Sequence, residues 1–246
     1  MLNIYKNIKR KAKKRIQKLL NNLVFQAFNQ KIKNDISFFI EIQTKMESAT
    51  LIIEKGKMAR KYNSRFELYN YIINENLIQG DFLEFGVWEG ESIRYFEKNI
   101  NNKVQKFYGF DSFEGLPENW RTGFSKGEFD LIGEKPFDTE NIKFVKGWFN
   151  ESIPNFLKEV NLNLPLFIHI DCDLYSSTRD VFKYLDKYIN IDTYILFDEL
   201  IAYPGWKYHE YKALNEFVQN KGWDFEIIGF NNSHEQVLIH ICKKEF

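Results

Sequence analysis

The stretch FIHIDCDLYSST (167–178) joins a run of apolar residues to two aspartates that lie two positions apart. The apolar run predicts a short strand buried in a sheet, and a helix is expected directly after it. Two carboxylates at the end of a buried strand repel each other and are costly to remove from water. A cation or protons are therefore needed to offset the negative charges of Asp171 and Asp173.

Short apolar runs of the same kind recur beyond residue 80 and alternate with helical patterns. We expect strands at 81–87, 106–111, 142–147, 164–171 and 193–199, and helices at 90–99, 151–160, 175–188 and 206–221. Two further apolar segments, 223–230 and 235–242, predict a terminal hairpin. This alternation predicts an α/β fold with a mainly parallel sheet and helices on both of its faces.

The start of the chain differs from the rest in charge. Residues 1–34 contain ten basic residues and no acidic residue, although the whole chain has 34 of each. Apolar residues recur there every three or four positions, which predicts a basic amphipathic helix. Such a helix would pack on the domain or on a second subunit, and contact with an anionic membrane is the alternative. Nucleic acid is not expected, because no basic-aromatic motif accompanies the charge.

Two more helices are expected, over 35–54 and after Ser64 as N-cap. We divide the chain into a helical extension, 1–61, which is expected to serve as a lid, an oligomer contact or a membrane contact, and a main domain, 62–246. The stretch 123–136 is the most loop-like interior segment and is a candidate flap. Two cysteines without a CxxC pair, and the lack of a long apolar run or signal-peptide pattern, predict a soluble cytoplasmic protein.

The stretch LEFGVWEGES (83–92) places glycines at the turn between the first of these strands and the next helix. Gly86 and Gly90 are four apart, which does not match the GxGxxG spacing of dinucleotide-binding proteins. Glu84 and Glu89 would repel phosphates and attract a cationic ligand such as a sulfonium. The pattern therefore favours S-adenosylmethionine over a dinucleotide.

Asp111 ends the next predicted strand, in GFDSFEGLPENW (109–120). An acidic residue at this position can accept hydrogen bonds from ribose hydroxyls. A role as a helix cap or turn residue is an equal alternative.

The motifs LEFGVWEGESI (83–93), GFDSFEGLPE (109–118), VKGWFNESIP (145–154) and HIDCDLYSST (169–178) occur in this order. Together they resemble the TylF/MycF family of class I methyltransferases, the macrocin O-methyltransferase-like enzymes that act on sugar hydroxyls. The resemblance covers about residues 62–242. It implies a Rossmann-like methyltransferase fold, with a seven-stranded sheet closed by the terminal hairpin, that binds S-adenosylmethionine and usually Mg²⁺.

The resemblance also implies roles for individual residues. The residues expected to contact S-adenosylmethionine are Glu84, Gly86, Gly90 and Ser92 around the methionine part, Asp111 and Ser112 at the ribose, and Gly147 and Trp148 at the adenine. The implied metal ligands are Asp171, Asp198 and Glu199, with Asp173 as a candidate general base. The sequence is equally compatible with an exchange of roles, in which Asp171 is the catalytic base and Asp173 holds the ion. The chain departs from the common pattern at Glu199, where many relatives have Asp, and at Cys172, where a small residue such as Gly is frequent.

The residue chemistry points to the same place independently. Asp171, Asp173, Asp198 and Glu199 would gather at the ends of neighbouring strands, which is unfavourable unless a cation or protons neutralise them. Oxygen ligands suit Mg²⁺, Mn²⁺ or Ca²⁺ rather than zinc. Helix capping by the first two residues and a solvated loop at the last two are the structural alternatives. Asp198 and Glu199 reach one ion only if their strand has already ended.

Two histidines and several aromatic residues have less specific patterns. His169 lies within a predicted strand and is expected to be a core or cofactor-pocket residue. His209 is an alternative catalytic base that would face the acceptor. For Tyr175, Tyr203, Trp206 and Tyr208, packing is favoured over contact with a sugar.

These observations lead to one hypothesis and several rivals. We expect a metal-dependent O-methyltransferase that acts on a sugar or glycoside hydroxyl, in a surface polysaccharide or a glycosylated metabolite, and forms a homo-oligomer. A catechol or phenolic acceptor is the first rival. A non-catalytic module that binds S-adenosylmethionine or a membrane is the second, and an NAD-dependent dehydrogenase is the most distant.

Overall fold

The computed structural model describes residues 35–100, 106–137 and 139–244, together with positions 18, 19, 22, 23 and 26. The chain divides into two compact units, Met1–Met46 and Glu47–Phe246. Helix α1, Ile36–Lys55, begins in the first unit and ends in the second. The predicted basic helix near the start of the chain lies mostly outside the described residues.

The described part of the second unit contains eight strands and the helices that cover them. The strands are β1 Arg60–Tyr62, β2 Phe82–Phe85, β3 Phe107–Asp111, β4 Ile142–Lys146, β5 Phe167–Ile170, β6 Tyr194–Phe197, β7 Trp223–Asn231 and β8 Val237–Lys243. The helices are α2 Arg65–Asn74, α3 Glu91–Asn99, α4 Phe149–Glu159, α5 Tyr175–Leu185 and α6 Glu210–Lys221, with a 3₁₀ turn at Trp206–Tyr208.

The strands form one sheet in the order β1-β7-β8-β6-β5-β2-β3-β4. Only β8 runs antiparallel to its neighbours, β6 and β7, so the mainly parallel sheet and the terminal hairpin are confirmed. The sheet has one more strand than the seven predicted, because β1 pairs with β7. This three-residue strand, RKY, is polar and mostly exposed, and its pattern therefore gives no signal of a buried strand.

The helices predicted from residue 35 onwards are confirmed, with one interruption. The segment 206–221 is a 3₁₀ turn followed by α6, because the backbone at His209 is not helical (φ −110°, ψ −125°). Ser64 caps α2 as predicted, since its Oγ accepts a hydrogen bond from the Glu67 N–H at 3.2 Å. None of the described helices is both long enough and apolar enough to cross a membrane.

Both faces of the sheet are buried, which explains the continuous apolar runs. On one face the ring of Phe82 stacks on Phe167, and on the other Phe85 stacks on Phe110. The exceptions in the central strands are Glu84 and His169, which are buried completely and are register partners on β2 and β5. Polar residues in such positions point to a role other than packing.

The carboxyl ends of β2 and β5 approach each other very closely at Gly86. This residue has a φ of +86°, and an added Cβ would lie 1.6 Å from the Asp171 carbonyl oxygen. A side chain here would therefore force β2 away from the turn that carries the two aspartates.

We expect Gly86→Ala to lower the free energy of unfolding by at least ~3 kcal/mol, because it combines a left-handed backbone with a backbone clash. Gly123→Ala is the matched control, since Gly123 also has a positive φ, +94°, but no atom within 4 Å of the added Cβ. It should cost only the ~1–2 kcal/mol of the left-handed conformation. Urea unfolding measures both values, and equal losses would contradict the close approach.

Candidate active site

A cleft of about 440 Å³ opens at the carboxyl ends of β2, β3, β5 and β6. Ligands of open α/β sheets bind at this edge. The predicted residues that line the cleft are Gly86, Gly90, Ser92, Asp111, Ser112, Gly147, Trp148, Asp171, Asp173, Asp198 and Glu199. The structure therefore brings most of the predicted site together.

One side of the cleft is the glycine turn after β2, and Asp111 holds it in place. The Asp111 Oδ2 accepts hydrogen bonds from the N–H groups of Val87 at 2.7 Å and Trp88 at 2.9 Å, and its Oδ1 accepts from the Phe113 N–H at 2.7 Å. Asp111 therefore has the turn role that was one of its two predicted roles. Its carboxylate oxygens still have capacity for a further donor, such as a hydroxyl.

The opposite side of the cleft is acidic. β6 ends at Phe197, so Asp198 and Glu199 lie beyond the strand, which is the condition for both to reach one ligand. Asp198 is fixed by a chain of two hydrogen bonds. Its Oδ1 accepts from the Gln236 Nε2 at 3.0 Å, and the Gln236 Oε1 accepts from the Asn231 Nδ2 at 2.8 Å.

Asp173 adopts an unusual backbone conformation, with a φ of +66°. Glu210, the first residue of α6, supports it, because its Oε1 accepts hydrogen bonds from the N–H groups of Asp173 at 3.0 Å and Cys172 at 3.3 Å. Glu210 is completely buried. Sequence reasoning missed this residue, since an acid at the start of a helix is ordinary.

Burial and the neighbouring negative charges make ionisation of these carboxyl groups unfavourable. Burial, with Asp198 as the next contributor, raises the pKa values of Asp171 and Glu199 well above the usual range. Burial likewise raises the pKa of Asp173 to about 7, although the positive charge of Arg121 opposes the rise. Without a cation, some of these carboxyl groups therefore stay protonated, or their mutual repulsion lowers the stability of the folded protein.

Two overlapping groups of side chains have the spacing of a metal site. One ligand atom from each of His169, Asp171 and Asp198 lies within 4.8 Å of the others, and the same holds for Asp171, Asp173 and Glu199. Among the residues described, the predicted trio of Asp171, Asp198 and Glu199 does not form such a group. Asp171 belongs to both groups and is their common element.

Three predicted site residues lie away from the cleft surface described by the structure. Glu84 and His169 are buried and joined by a 2.8 Å contact between the Glu84 Oε2 and the His169 Nδ1. His209 packs against the rings of Trp120 and Tyr203, and burial lowers its pKa. His209 does not line the cleft, so the structure does not place it as an alternative base.

Four aromatic residues, Tyr175, Tyr203, Trp206 and Tyr208, also do not line the described cleft. Tyr203 and Trp206 are buried, in agreement with a packing role. The Tyr175 hydroxyl donates to Glu216 at 2.8 Å, and Tyr208 is exposed.

The loop between β3 and β4 forms a further wall. It contributes Leu116, Pro117 and Phe129 to the cleft. Two contacts fasten it, a 2.6 Å hydrogen bond from the Ser176 Oγ to Glu118 and a two-pronged ion pair between Arg121 and Glu235 at 2.9 and 3.2 Å. A lid role for 123–136 stays a prediction.

Comparison with known proteins agrees with this geometry. Residues 83–200 match the family described as "Methyltransferase domain". A demethyldecarbamoylnovobiocin O-methyltransferase of Streptomyces niveus is 24% identical over 161 residues, 56% of this chain and 60% of that enzyme. A tetracenomycin rhamnosyl 4′-O-methyltransferase of Streptomyces olivaceus is 23% identical over 143 residues, 50% of this chain and 53% of that enzyme.

Among solved structures, a calicheamicin methyltransferase superposes with a TM-score of 0.53 at 18% identity, over 86% of this chain and 85% of that one. The fold is therefore the Rossmann-like fold of methyltransferases, as predicted. The chain spans about 60% of the length of the first curated relative and 53% of the second. The substrates of those enzymes are therefore not assigned to this chain by the similarity alone.

We expect Asp173→Asn to raise the melting temperature of the chelated protein at pH 8. Asn tolerates the left-handed backbone, and the change removes a buried charge that faces Asp198. A domain of this size gains about 2–4 °C per kcal/mol.

The gain should shrink as the pH falls below 7. A carboxyl group whose pKa is raised on folding costs stability above that pKa, and the cost is lost as the group takes up a proton. The exposed Asp192→Asn is the control and should change little. Thermal unfolding between pH 5 and 8 in EDTA tests this, and a lower melting temperature for Asp173→Asn at pH 8 would contradict it.

Replacement of Glu210 should separate its acceptor role from its charge. Glu210→Ala leaves two buried N–H groups without an acceptor, which costs ~1–3 kcal/mol for each group. Glu210→Gln keeps an oxygen at this position and should be the milder change. Chemical denaturation in EDTA gives the two free energies of unfolding, and equal losses would show that the two backbone hydrogen bonds are unimportant.

Proposed function

We propose that this protein is an S-adenosylmethionine-dependent O-methyltransferase that acts on a hydroxyl of a glycosylated substrate. The observation that carries the proposal is the division of one cleft into a glycine-turn side and an acidic side. A methyl donor on the first would face an acceptor hydroxyl on the second. The match of residues 83–200 to the methyltransferase domain family supports the donor.

The glycine-turn side suits the donor for physical reasons. Gly86 and Gly90 let the backbone approach a ligand closely, and α3 begins directly after Gly90 with N–H groups that have no helical partner. Asp111 would accept hydrogen bonds from the ribose hydroxyls, and Trp148 would flank the adenine. Glu84 acts from behind the cleft, because its carboxylate is engaged by His169. S-adenosylmethionine supplies the activated methyl group.

On the acidic side, Asp173 is the proposed general base. Its pKa of about 7 matches the ideal for a base that works near neutrality. The hydrogen bond to Glu210 holds the backbone of Asp173 in place beside the cleft. As the acceptor oxygen forms its bond to the methyl carbon and the carbon–sulfur bond breaks, Asp173 would take the hydroxyl proton.

The donor chemistry of the acidic side also fits a divalent cation. Asp171 belongs to both groups with metal-site spacing, and with Asp198 from one group and Glu199 from the other it would hold Mg²⁺ once those two carboxylates turn toward the ion. Mn²⁺ or Ca²⁺ would use the same oxygen ligands. When bound, such an ion lowers the pKa of a hydroxyl and fixes its orientation. The raised pKa values of Asp171 and Glu199 support this assignment, since a cation removes the repulsion that causes part of the rise.

The names of the curated relatives support a glycosylated acceptor. One is an O-methyltransferase of a novobiocin precursor and the other methylates a rhamnosyl group of a tetracenomycin. Glycosylated metabolites and surface polysaccharides present the same chemical group, a ring hydroxyl beside a second hydroxyl. Both remain within the proposal.

The assignments for the start of the chain also remain proposals. We infer that the part of the 1–61 extension before the second compact unit contacts a second subunit, with a lid over the site and attachment to an anionic membrane as the alternatives. The charge of residues 1–34 supports the subunit and membrane contacts. A cytoplasmic homo-oligomer is the expected form of the protein.

The function is tested by methyl transfer to a panel of glycosides and phenols. With added Mg²⁺, wild type should release S-adenosylhomocysteine with a glycoside, and Asp171→Asn should be slower by at least ~10²-fold. Excess EDTA should reduce wild type similarly. Calorimetry should show that Asp171→Asn still binds S-adenosylmethionine, and the exposed Asp192→Asn should retain full activity.

Each contrary outcome has a distinct meaning. Turnover of catechols but not of glycosides would move the acceptor to the phenolic class. Undiminished turnover in chelated protein would overturn metal dependence alone. Binding of S-adenosylmethionine without transfer to any hydroxyl would overturn the enzymatic proposal.

A further inference from the structure

We propose that His169 is a nitrogen ligand of the divalent cation, together with Asp171 and Asp198, and that Glu84 holds its imidazole in place. The site would then prefer first-row transition metals such as Mn²⁺ or Co²⁺ to Mg²⁺. The inference rests on the proposed function only in that the ion belongs to the same reaction. It changes the ligand set and the metal class.

Strand register brings these side chains to one face of the sheet. Glu84 on β2 and His169 on β5 are direct register partners, and His169 pairs with Leu196 on β6. Asp171 and Asp198 each lie two residues beyond the members of that second pair. Both aspartates lie one residue past their strands, but the sheet hydrogen bonds continue to them, because the Asp171 N–H donates to the Phe85 carbonyl and the Asp198 N–H to the Ile170 carbonyl, each at 2.9 Å. Their side chains therefore continue the face on which His169 lies.

The imidazole has one nitrogen engaged and one nitrogen unused. The His169 Nδ1 is 2.8 Å from the Glu84 Oε2. An ionised Glu84 can only accept at this contact, and we assign the hydrogen of a neutral imidazole to Nδ1 on that basis. The His169 Nε2 is buried, in a side chain with no exposure, and has no hydrogen-bond partner among the described residues. Its lone pair is therefore available.

The arrangement matches the usual environment of a metal-binding histidine. Such a residue donates its other ring N–H to a carboxylate, which fixes the tautomer and the ring orientation. Here the Glu84 carboxylate has that position. The ligand atoms of His169, Asp171 and Asp198 lie within 4.8 Å of one another, a separation that bonds of about 2.0–2.3 Å to a shared ion can span.

Neighbouring groups are compatible with a cation at this point. Arg65 lines the cleft on this side, but its guanidinium is paired with Glu91. The Gln236 amide donates to one oxygen of Asp198 and leaves the other oxygen of that carboxylate for an ion. The ring of Tyr69 meets the His169 ring edge to face, with 6.2 Å between the ring centroids. Its hydroxyl is also buried and has no hydrogen-bond partner among the described residues.

A nitrogen ligand changes the expected selectivity. Imidazole binds Mn²⁺, Co²⁺ and later metals better than Mg²⁺, which prefers oxygen alone. This ligand set also leaves Asp173 and Glu199 free on the other side of Asp171. The base and the ion would then have separate carboxylates.

The direct test is electron spin-echo spectroscopy of the full-length, metal-free protein loaded with less than one equivalent of Mn²⁺. We expect modulation from a directly bound ¹⁴N that converts to the ¹⁵N pattern when the protein is labelled with ¹⁵N-histidine. The label needs no substitution at a buried position. Because the chain has four histidines, a variant with His209, His234 and His240 all replaced by Asn should keep the signal.

The outcomes separate the inference from the proposed function. Mn²⁺ binding with oxygen ligands only, or a nitrogen signal lost in the triple variant and kept in His169→Gln, would overturn the inference and leave the methyltransferase proposal intact. Absence of any Mn²⁺ binding would overturn both the inference and metal dependence. A nitrogen signal in a protein without methyl transfer would support the inference alone.

A second measurement tests the role assigned to Glu84. Calorimetry with Mn²⁺ should show that Glu84→Gln weakens binding about 10–100-fold, the usual effect of removing a carboxylate behind a histidine ligand. Glu89→Gln is the matched control, because it removes the same charge from an exposed position at the same cleft. Equal losses for the two variants would reduce the effect to general electrostatics and contradict the assignment.

Discussion

Repulsion among buried carboxyl groups is the constraint on which the candidate site depends. Asp171, Asp173, Asp198, Glu199 and Glu210 lie together at the carboxyl edge of the sheet, and burial raises the pKa of most of them. Folding brings this cluster together at a cost in free energy. Carboxyl groups with raised pKa values cluster at functional sites, where they bind a cation or take part in proton transfer.

The rest of the fold holds these groups at fixed positions. Gly86 allows β2 to contact the backbone of Asp171, and Glu210 fixes the left-handed turn at Asp173 through two N–H groups. Gln236, from the β8 side of the sheet, fixes Asp198. Because the supports come from different parts of the chain, the site forms only when the whole sheet is assembled.

Sequence reasoning could predict what depends on local pattern or on strand ends. Parallel strands end at one edge, so Asp171, Asp173, Asp198 and Glu199 could be grouped from the sequence. The partnership of Glu84 with His169 could not, because it requires β2 to lie beside β5, which chain order does not reveal. Glu210 is 37 residues from Asp173, and β1 is a polar triplet. Their roles become visible only in the assembled structure.

We propose that this acidic edge holds a divalent cation, and the melting temperature of the protein measures such binding directly. Thermal unfolding of the metal-free protein should be followed at pH 8 as Mn²⁺ or Mg²⁺ is added, because a ligand that binds only the folded state stabilises it. We expect the melting temperature to rise with the concentration of the ion, and Asp171→Asn to abolish the rise. An unchanged or lower melting temperature in wild type would contradict it.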